Sequence, residues 1–371
     1  MKNTFPAELI TEPTLLLNET ICKENIRRMA EKASRHNLIF RPHFKTHQST
    51  HIGEWFRQAG VDRITVSSLK MAEYFSEAGW NDITVAFPVN LREIERIQKL
   101  ASRVRLNLLM ESIESADFLQ QKLETPVNAY IKIDVGYHRT GIQPEKSDQL
   151  EALLNRIENS PKLNFTGFLA HAGHSYQARS EQEIAEVHAK STDILKKLGE
   201  IYRSRFPKLM LSTGDTPTCS VMEDFDGINE IRPGNFVFYD LTQHAIGSCS
   251  VDNIAVALAC PVVAKHEDRH ELLVYGGGVH FSKDRLAVGP HGQVIFGTVV
   301  GPGDNGWETI DSNRNYVSKL SQEHGTVRVE RDVFDQYAPG DIMLVLPVHS
   351  CMTANLMKRY LTLSGEWIDR L

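Results

Sequence analysis

In VNAYIKIDVGYHRTG, residues 127–141, an apolar and β-branched run gives way to a turn flanked by Gly136 and Gly141. Residues 127–135 have the composition of a buried strand, and Asp134, His138 and Arg139 leave it toward one face. The same unit recurs on both sides of it. Short apolar runs at 38–45, 63–68, 82–88, 104–110, 163–171, 208–213 and 229–233 alternate with longer segments of helical periodicity. Eight strands with helices between them favour a closed (β/α)8 TIM barrel over an open sheet. After about residue 250 the pattern changes to strands without helices, in IAVALACPVVAK, HELLVYGGG, GQVIFGTVV, GTVRVE and DIMLVLPV, separated by Gly, Pro and Asp turns. That predicts a C-terminal all-β domain, with which the early strand TLLLN (14–18) could pair. The expected division is a barrel over 20–248 and a β domain over 249–371 together with 1–19.

At 371 residues, 41% hydrophobic and 24% charged, the chain has ordinary globular composition and enough length for two cores, which argues against disorder. A net charge of -6, a pI near 6.2 and the absence of a basic stripe argue against a nucleic-acid surface. The opening MKNTFPAELITEP has no basic segment followed by a long apolar run, and no stretch approaches the roughly 20 apolar residues of a membrane helix. Cys22, Cys219, Cys249, Cys260 and Cys351 are an odd number without CxxC spacing, unlike a disulfide framework. The expectation is a cytoplasmic, reduced protein that binds neither nucleic acid nor membrane.

Barrel active sites lie where the strands end at the carboxyl face, so polar residues at those exits matter most. In RPHFKTH (41–47), strand alternation would put Arg41, His43, Lys45 and His47 on one side. A cation such as Arg41 in a partly dry barrel mouth would favour the neutral, nucleophilic Lys45 amine. A lysine fraying into solvent is the bland alternative. Pro42 removes a ladder donor, so the strand should bend or bulge there. At the fifth exit Arg139 could bond an anionic oxygen or simply make a surface ion pair.

GFLAHAGHSY (167–176) groups His171, His174 and Tyr176, and an imidazole there could stack on a flat ring, move protons or be purely structural. STGDTPT (212–218) and RPGNFVFYD (232–240) combine glycine, hydroxyls and free backbone N–H groups at the seventh and eighth exits, where barrel phosphate sites tend to lie. Each glycine alone is equally well explained by a turn. In LPVHSCMTAN (346–355), His349 and Cys351 would share one face of a strand. Imidazole plus thiolate suits Zn2+ and leaves coordination positions open, although a bare HxC is often accidental.

Taken together, these segments resemble the fold type III pyridoxal 5'-phosphate (PLP) enzymes, and within them the D-serine dehydratase and D-threonine aldolase branch, over nearly the whole chain. The resemblance of RPHFKTHQS implies that Lys45 holds the cofactor. That of IDVGYHRTG places Arg139 by the cofactor's ring hydroxyl, and FLAHAGHSY implies a ring-stacking His171. STGDTPT and RPGNFVFYD are similar to the phosphate-binding strand ends, implying Thr213, Gly214, Gly234 and Asn235 there, with Arg232 beside the pyridine nitrogen. PVHSCMTANL is similar to the branch's metal motif, so His349 and Cys351 would hold Zn2+ or another divalent metal, with cysteine leaning toward the dehydratases.

The resemblance implies a homodimeric lyase that dehydrates a D-3-hydroxy amino acid, D-serine first, with Lys45 as the α-proton base. The catalytic candidates are Lys45, His171 and Tyr176. Retro-aldol cleavage is the nearest rival, with His43, His47, His174 or Tyr176 as base. Racemisation would need a second acid/base on the opposite face. A non-catalytic PLP carrier would need neither the added β domain nor the HxC.

Overall fold

The first strand, β1 (Thr14–Leu17), precedes a run of eight more: β2 (Ile39–Phe40), β3 (Ile64–Val66), β4 (Asp82–Pro88), β5 (Arg105–Met110), β6 (Val127–Ile133), β7 (Leu163–Ala170), β8 (Met210–Thr213) and β9 (Glu230–Ile231). β2 to β9 form one parallel sheet in the order β2-β9-β8-β7-β6-β5-β4-β3, with helices between successive strands. Its two ends meet: His43 and Thr65 form a parallel bridge, Phe44 N–H donates to Thr65 O at 2.8 Å, and Thr65 N–H donates to Pro42 O at 2.9 Å. The ring is therefore closed, as eight alternating units require. Proline is tolerated at the seam because it contributes a carbonyl there and needs no N–H.

The computed structural model describes residues 5–289, 292–303, 306–309 and 314–371. They pack as two units, one made of Arg27–Gly234, Ile246–Ser248 and Leu371, the other of Met1–Ile26, Asn235–Ala245 and Cys249–Arg370.

In the barrel unit a belt of polar side chains runs through the interior. Arg41 bonds Glu230 and Asp82 at 2.6 Å each, Asn107 bonds Asp82 at 2.9 Å, Asn128 bonds Asn107 at 2.8 Å, and Ser212 bonds Glu230 at 2.7 Å. Burying such groups is tolerable because each charge meets an opposite charge or a hydrogen-bond partner. Period-two alternation along β6 puts Asn128, Tyr130 and Lys132 on a common face, with Tyr130 packed against Leu109 and Leu169.

The first exit departs from its expected form. The extended run stops at Phe40, and Phe44–His47 is a turn closed by Gln48 N–H donating to Phe44 O at 2.9 Å. Alternation holds only while the backbone stays extended, so Arg41, His43, Lys45 and His47 do not share a face. Arg41 turns into the interior belt, where carboxylates neutralise it; it does not act as the cationic neighbour of Lys45. His47 is fully buried and stacked on Phe56 at 5.4 Å, which removes it as a candidate base.

In the other unit, β1 pairs antiparallel with Val256–Ala259 and parallel with Leu361–Thr362. Six antiparallel strands close into a ring in the order Val256–His266, Glu271–Tyr275, His324–Arg328, Tyr316–Leu320, Gly297–Gly303 and Ile342–Pro347. Beyond residue 250, among the described residues, three short α-helices, Gly278–Phe281, Arg331–Gln336 and Ser350–Met357, interrupt what was expected to be strands alone. Segments of four to eight residues are too short to display a 3.6-residue period. Among the described residues no helix is long and apolar enough to cross a membrane.

Candidate active site

Lys45 is exposed on the turn that follows β2. The turn is pinned from two sides. Gln48 Nε2 donates to Lys45 O at 2.9 Å, and Phe44 lies in an aromatic nest, 4.8 Å from Phe56 and 5.1 Å from Trp80. Beyond β9, Gly234 presses on the same turn so closely that a Cβ would meet His43 O at 2.8 Å. Its missing side chain lets the backbone approach. His43 is held well below its usual titration range by burial, then by Lys45, Arg232, His171 and Arg139, so it is neutral at pH 7.

At the exit of β6, Asp134 accepts bonds from Gly136 N–H and His138 N–H at 3.0 Å and pairs with His138 Nδ1 at 2.8 Å. Burial works against its ionisation, but these bonds hold its carboxyl below the usual range. Asp134 and His138 therefore shape the turn, while Arg139 lies 5.0 Å over the Tyr137 ring. At the exit of β7, His171 Nδ1 is 2.9 Å from Gly214 O. A carbonyl only accepts, so Nδ1 carries the proton and Nε2 is bare. Burial, followed by Lys132, keeps this imidazole neutral.

The neighbouring exits are laced together. Ser175 Oγ donates to Asp215 Oδ1 at 2.7 Å, Thr218 N–H donates to the same oxygen at 2.9 Å, and Thr216 N–H donates to Tyr176 OH at 3.2 Å. Thr213 ends β8, and at Gly214 (φ +150°) a Cβ would lie 2.3 Å from Arg232 N. Arg232 is buried, with Nε bonded to Ser212 Oγ at 2.7 Å and Nη2 to Ala170 O. His174 is half-buried and stacks at 6.3 Å on Tyr137.

One residue of this group escaped the reading of the sequence. Lys132 is buried on β6, and burial, reinforced by Arg232 and Arg139, pushes its amine down to about 7. The available signal was a lysine inside an otherwise apolar strand, at the alternation shared with Tyr130. Asp215, which ties the sixth exit to the seventh, was also missed.

The charge pattern bears directly on what the barrel can bind. Asp82, Asp134, Asp215 and Glu230 are all engaged by donors. Lys45, Lys132 and Arg139 make no ion pair among the described residues. Cations left over after every local acid is used suit an anionic ligand such as a phosphate, and the bare strand ends at Gly214 and Gly234 suit its close approach. These residues fit the cofactor that the resemblance implies.

In the other unit, His349 and Cys351 do not lie on a strand. The strand ends at Pro347, His349 is the residue capping helix Ser350–Met357, and Cys351 lies in its first turn. The two side chains are nevertheless close enough to influence each other's ionisation, and His349 Nδ1 is 3.4 Å from Asp284 Oδ2. Burial alone would pull His349 down, but the bonds to Asp284 and Cys351 outweigh it and push it up to about 11. No third His, Cys, Asp or Glu completes a metal-ready group with them among the described residues. The pair fits a borderline-soft divalent ion that keeps positions open for water or substrate. The Asn235 side chain joins this group, with Nδ2 3.3 Å from Cys351 Sγ.

Residues 18–241 match the family of the alanine racemase N-terminal domain, and residues 255–363 match a serine dehydratase domain. A D-serine dehydratase of Dictyostelium discoideum is 27% identical over 96% of this chain and 94% of its own. A D-threo-3-hydroxyaspartate dehydratase of Delftia sp. (strain HT23) is 26% identical over 95% and 94%. The solved structure of a cysteine-to-alanine variant of D-threo-3-hydroxyaspartate dehydratase, in a metal-free form, superposes with a TM-score of 0.91 at 25% identity, covering 100% of this chain and 99% of that one.

Proposed function

Because the chain belongs to the family of the alanine racemase N-terminal domain, we propose that it is a lyase that uses pyridoxal 5'-phosphate and a divalent metal, zinc first, to dehydrate D-3-hydroxy amino acids. D-serine, giving pyruvate and ammonia, is the first substrate. The observation that carries this reading is the adjacent His349–Cys351 pair at the start of helix Ser350–Met357. Exchanging a proton at Cα needs no Lewis acid, whereas expelling a hydroxyl from Cβ is helped by one. The similarity to dehydratases across nearly the whole chain supports the same reading, as does the metal-free form described for a cysteine-to-alanine variant of one of them.

When bound, PLP supplies an electron sink for the carbanion at Cα, and the metal supplies Lewis acidity toward the β-hydroxyl. Lys45 Nζ would hold the cofactor and would be the base that takes the α-proton. Arg139 donates to the cofactor's ring hydroxyl. The His171 ring, its plane fixed by the bond to Gly214 O, stacks on the cofactor. Arg232, which has only donors to offer, would lie beside the ring nitrogen and donate to it. Thr213, Gly214 and Gly234, with Asn235 through its backbone, would bind the phosphate. Tyr176, whose hydroxyl oxygen accepts from Thr216 N–H, would supply a proton to the departing hydroxyl. His349 and Cys351 hold the metal.

Water leaves with the β-oxygen, and the enamine that remains hydrolyses to the keto acid and ammonia. The cofactor domain is assigned to 20–248 and the metal domain to 249–371 with 1–19. The protein acts as a cytoplasmic homodimer; that its cysteines form no disulfide among the described residues supports a reducing compartment.

The test is to incubate zinc-loaded protein with D-serine and D-threonine separately and assay the products. Pyruvate from D-serine and 2-oxobutyrate from D-threonine are expected. Glycine with acetaldehyde from D-threonine would replace dehydration by retro-aldol cleavage. L-isomers as sole products would mean racemisation.

A further inference from the structure

We propose that Asn235 and Asp240 are positioning residues of the metal centre: Asp240 fixes the Asn235 amide so that one of its N–H groups is delivered to Cys351 Sγ, and this sets how tightly the ion is held. The inference rests on the reading that His349 and Cys351 hold a divalent ion.

Asp240 is 1% exposed and pairs with no cation among the described residues. Four neutral donors converge on it instead. Oδ2 accepts from Asn235 Nδ2 at 2.7 Å, Ser350 N at 3.0 Å and Ser350 Oγ at 3.2 Å, while Oδ1 accepts from Gln243 N at 3.0 Å. A carboxylate that receives all these bonds only accepts, so the Asn235 atom beside it must be the amide nitrogen. That choice leaves the second N–H of Asn235 near Cys351 Sγ, at 3.3 Å, with Ser350 Oγ at 3.0 Å beside it.

The opposite end of the same amide shows that this orientation has a cost. Asn235 Oδ1 is buried and has no hydrogen-bond partner among the described residues. A side chain placed only to close the fold would satisfy both ends, because an orphaned buried carbonyl costs about 1–3 kcal/mol. Here the oxygen is left unpaired so that the nitrogen can serve Asp240 and the sulfur. An N–H directed at a thiolate lowers its electron density and fixes its direction, and losing such an outer partner weakens metal binding by about 10–100-fold. Asp240 thus acts on the sulfur through Asn235, without touching the ion.

The experiment measures zinc affinity of metal-free wild type, Asp240→Asn, Asn235→Ala and Cys351→Ala by competition with a chromophoric chelator. It also records the near-ultraviolet thiolate-to-cobalt charge-transfer band of each protein loaded with Co2+. Asp240→Asn keeps the shape but removes the obligate acceptor, so the Asn235 amide is free to turn over. Both network variants should bind zinc about 10–100-fold more weakly than wild type. Their charge-transfer band should persist but shift, with circular dichroism and thermal midpoint close to wild type. Wild-type affinity and an unshifted band in both would overturn the proposal. Should Asp240→Asn fail to fold, Asn235→Ala decides alone by the same two readouts. If wild type binds no zinc, or Cys351→Ala binds as well as wild type, the metal-centre reading itself falls, and this inference with it.

Discussion

Lys132 brings into the barrel an amine that makes no ion pair among the described residues. Its amine titrates at about 7 in the folded chain, against 10.5 as the ordinary value, because burial and the nearby Arg232 and Arg139 disfavour its charge. The unfolded chain therefore binds the extra proton between about pH 7 and 10.5, and stability should rise with pH across that window. Below pH 7 both states are protonated and the penalty is complete. Lys132→Met should stabilise the ligand-free protein at pH 7 by about 1–4 kcal/mol and flatten that rise. Urea unfolding at pH 7 and pH 10 checks both; a variant less stable than wild type at pH 7 would show that an unseen partner satisfies the amine. Lys45, Arg139 and His171 were legible as candidates because they stand at strand exits, where sequence position alone raises their meaning. Lys132 was hidden by its apolar neighbours, and Asp215 and Asp240 by partners that fold, not spacing, brings near.

The strand exits are locked to one another by close backbone approaches, and here single glycines decide. At Gly214, φ is +150° and a Cβ would sit 2.3 Å from Arg232 N, an atom of the backbone that cannot swing away. Gly214→Ala should cost on the order of 3 kcal/mol and lose cofactor binding, because the exits of β8 and β9 must part. Gly60 is the control: φ is +83° but nothing lies within 4 Å, so Gly60→Ala should cost only about 1 kcal/mol. Equal losses in urea unfolding would contradict the argument. All eight barrel strands were readable from apolar runs bounded by turns. The first was drawn too long, because the chain leaves the extended conformation after Phe40 while its residues still alternate in character. The same limit turned helix Ser350–Met357 into an imagined strand, yet His349 and Cys351 still meet, since a cap and the first helical turn also bring residues two apart together.

Across the whole molecule, ionic groups are distributed unevenly. The interior belt from Arg41 through Glu230 and Asp82 to Asn107 is satisfied by its own members, and it holds the barrel without help from any ligand. The carboxyl ends differ: acids there are consumed in shaping turns, and Lys45, Lys132 and Arg139 make no ion pair among the described residues. An anionic, aldehyde-bearing cofactor completes that balance and gives the Lys45 amine its covalent role. Composition and strand rhythm could announce the barrel, but only the folded positions of these charges show which end is built for an anion. The central claim is tested most directly by reducing the cofactor-loaded protein with borohydride and mapping the modified peptide by mass spectrometry. The account predicts a single reduced pyridoxyl phosphate adduct on Lys45, absent from Lys45→Ala. An adduct on another lysine, or none after incubation with pyridoxal 5'-phosphate, would contradict it.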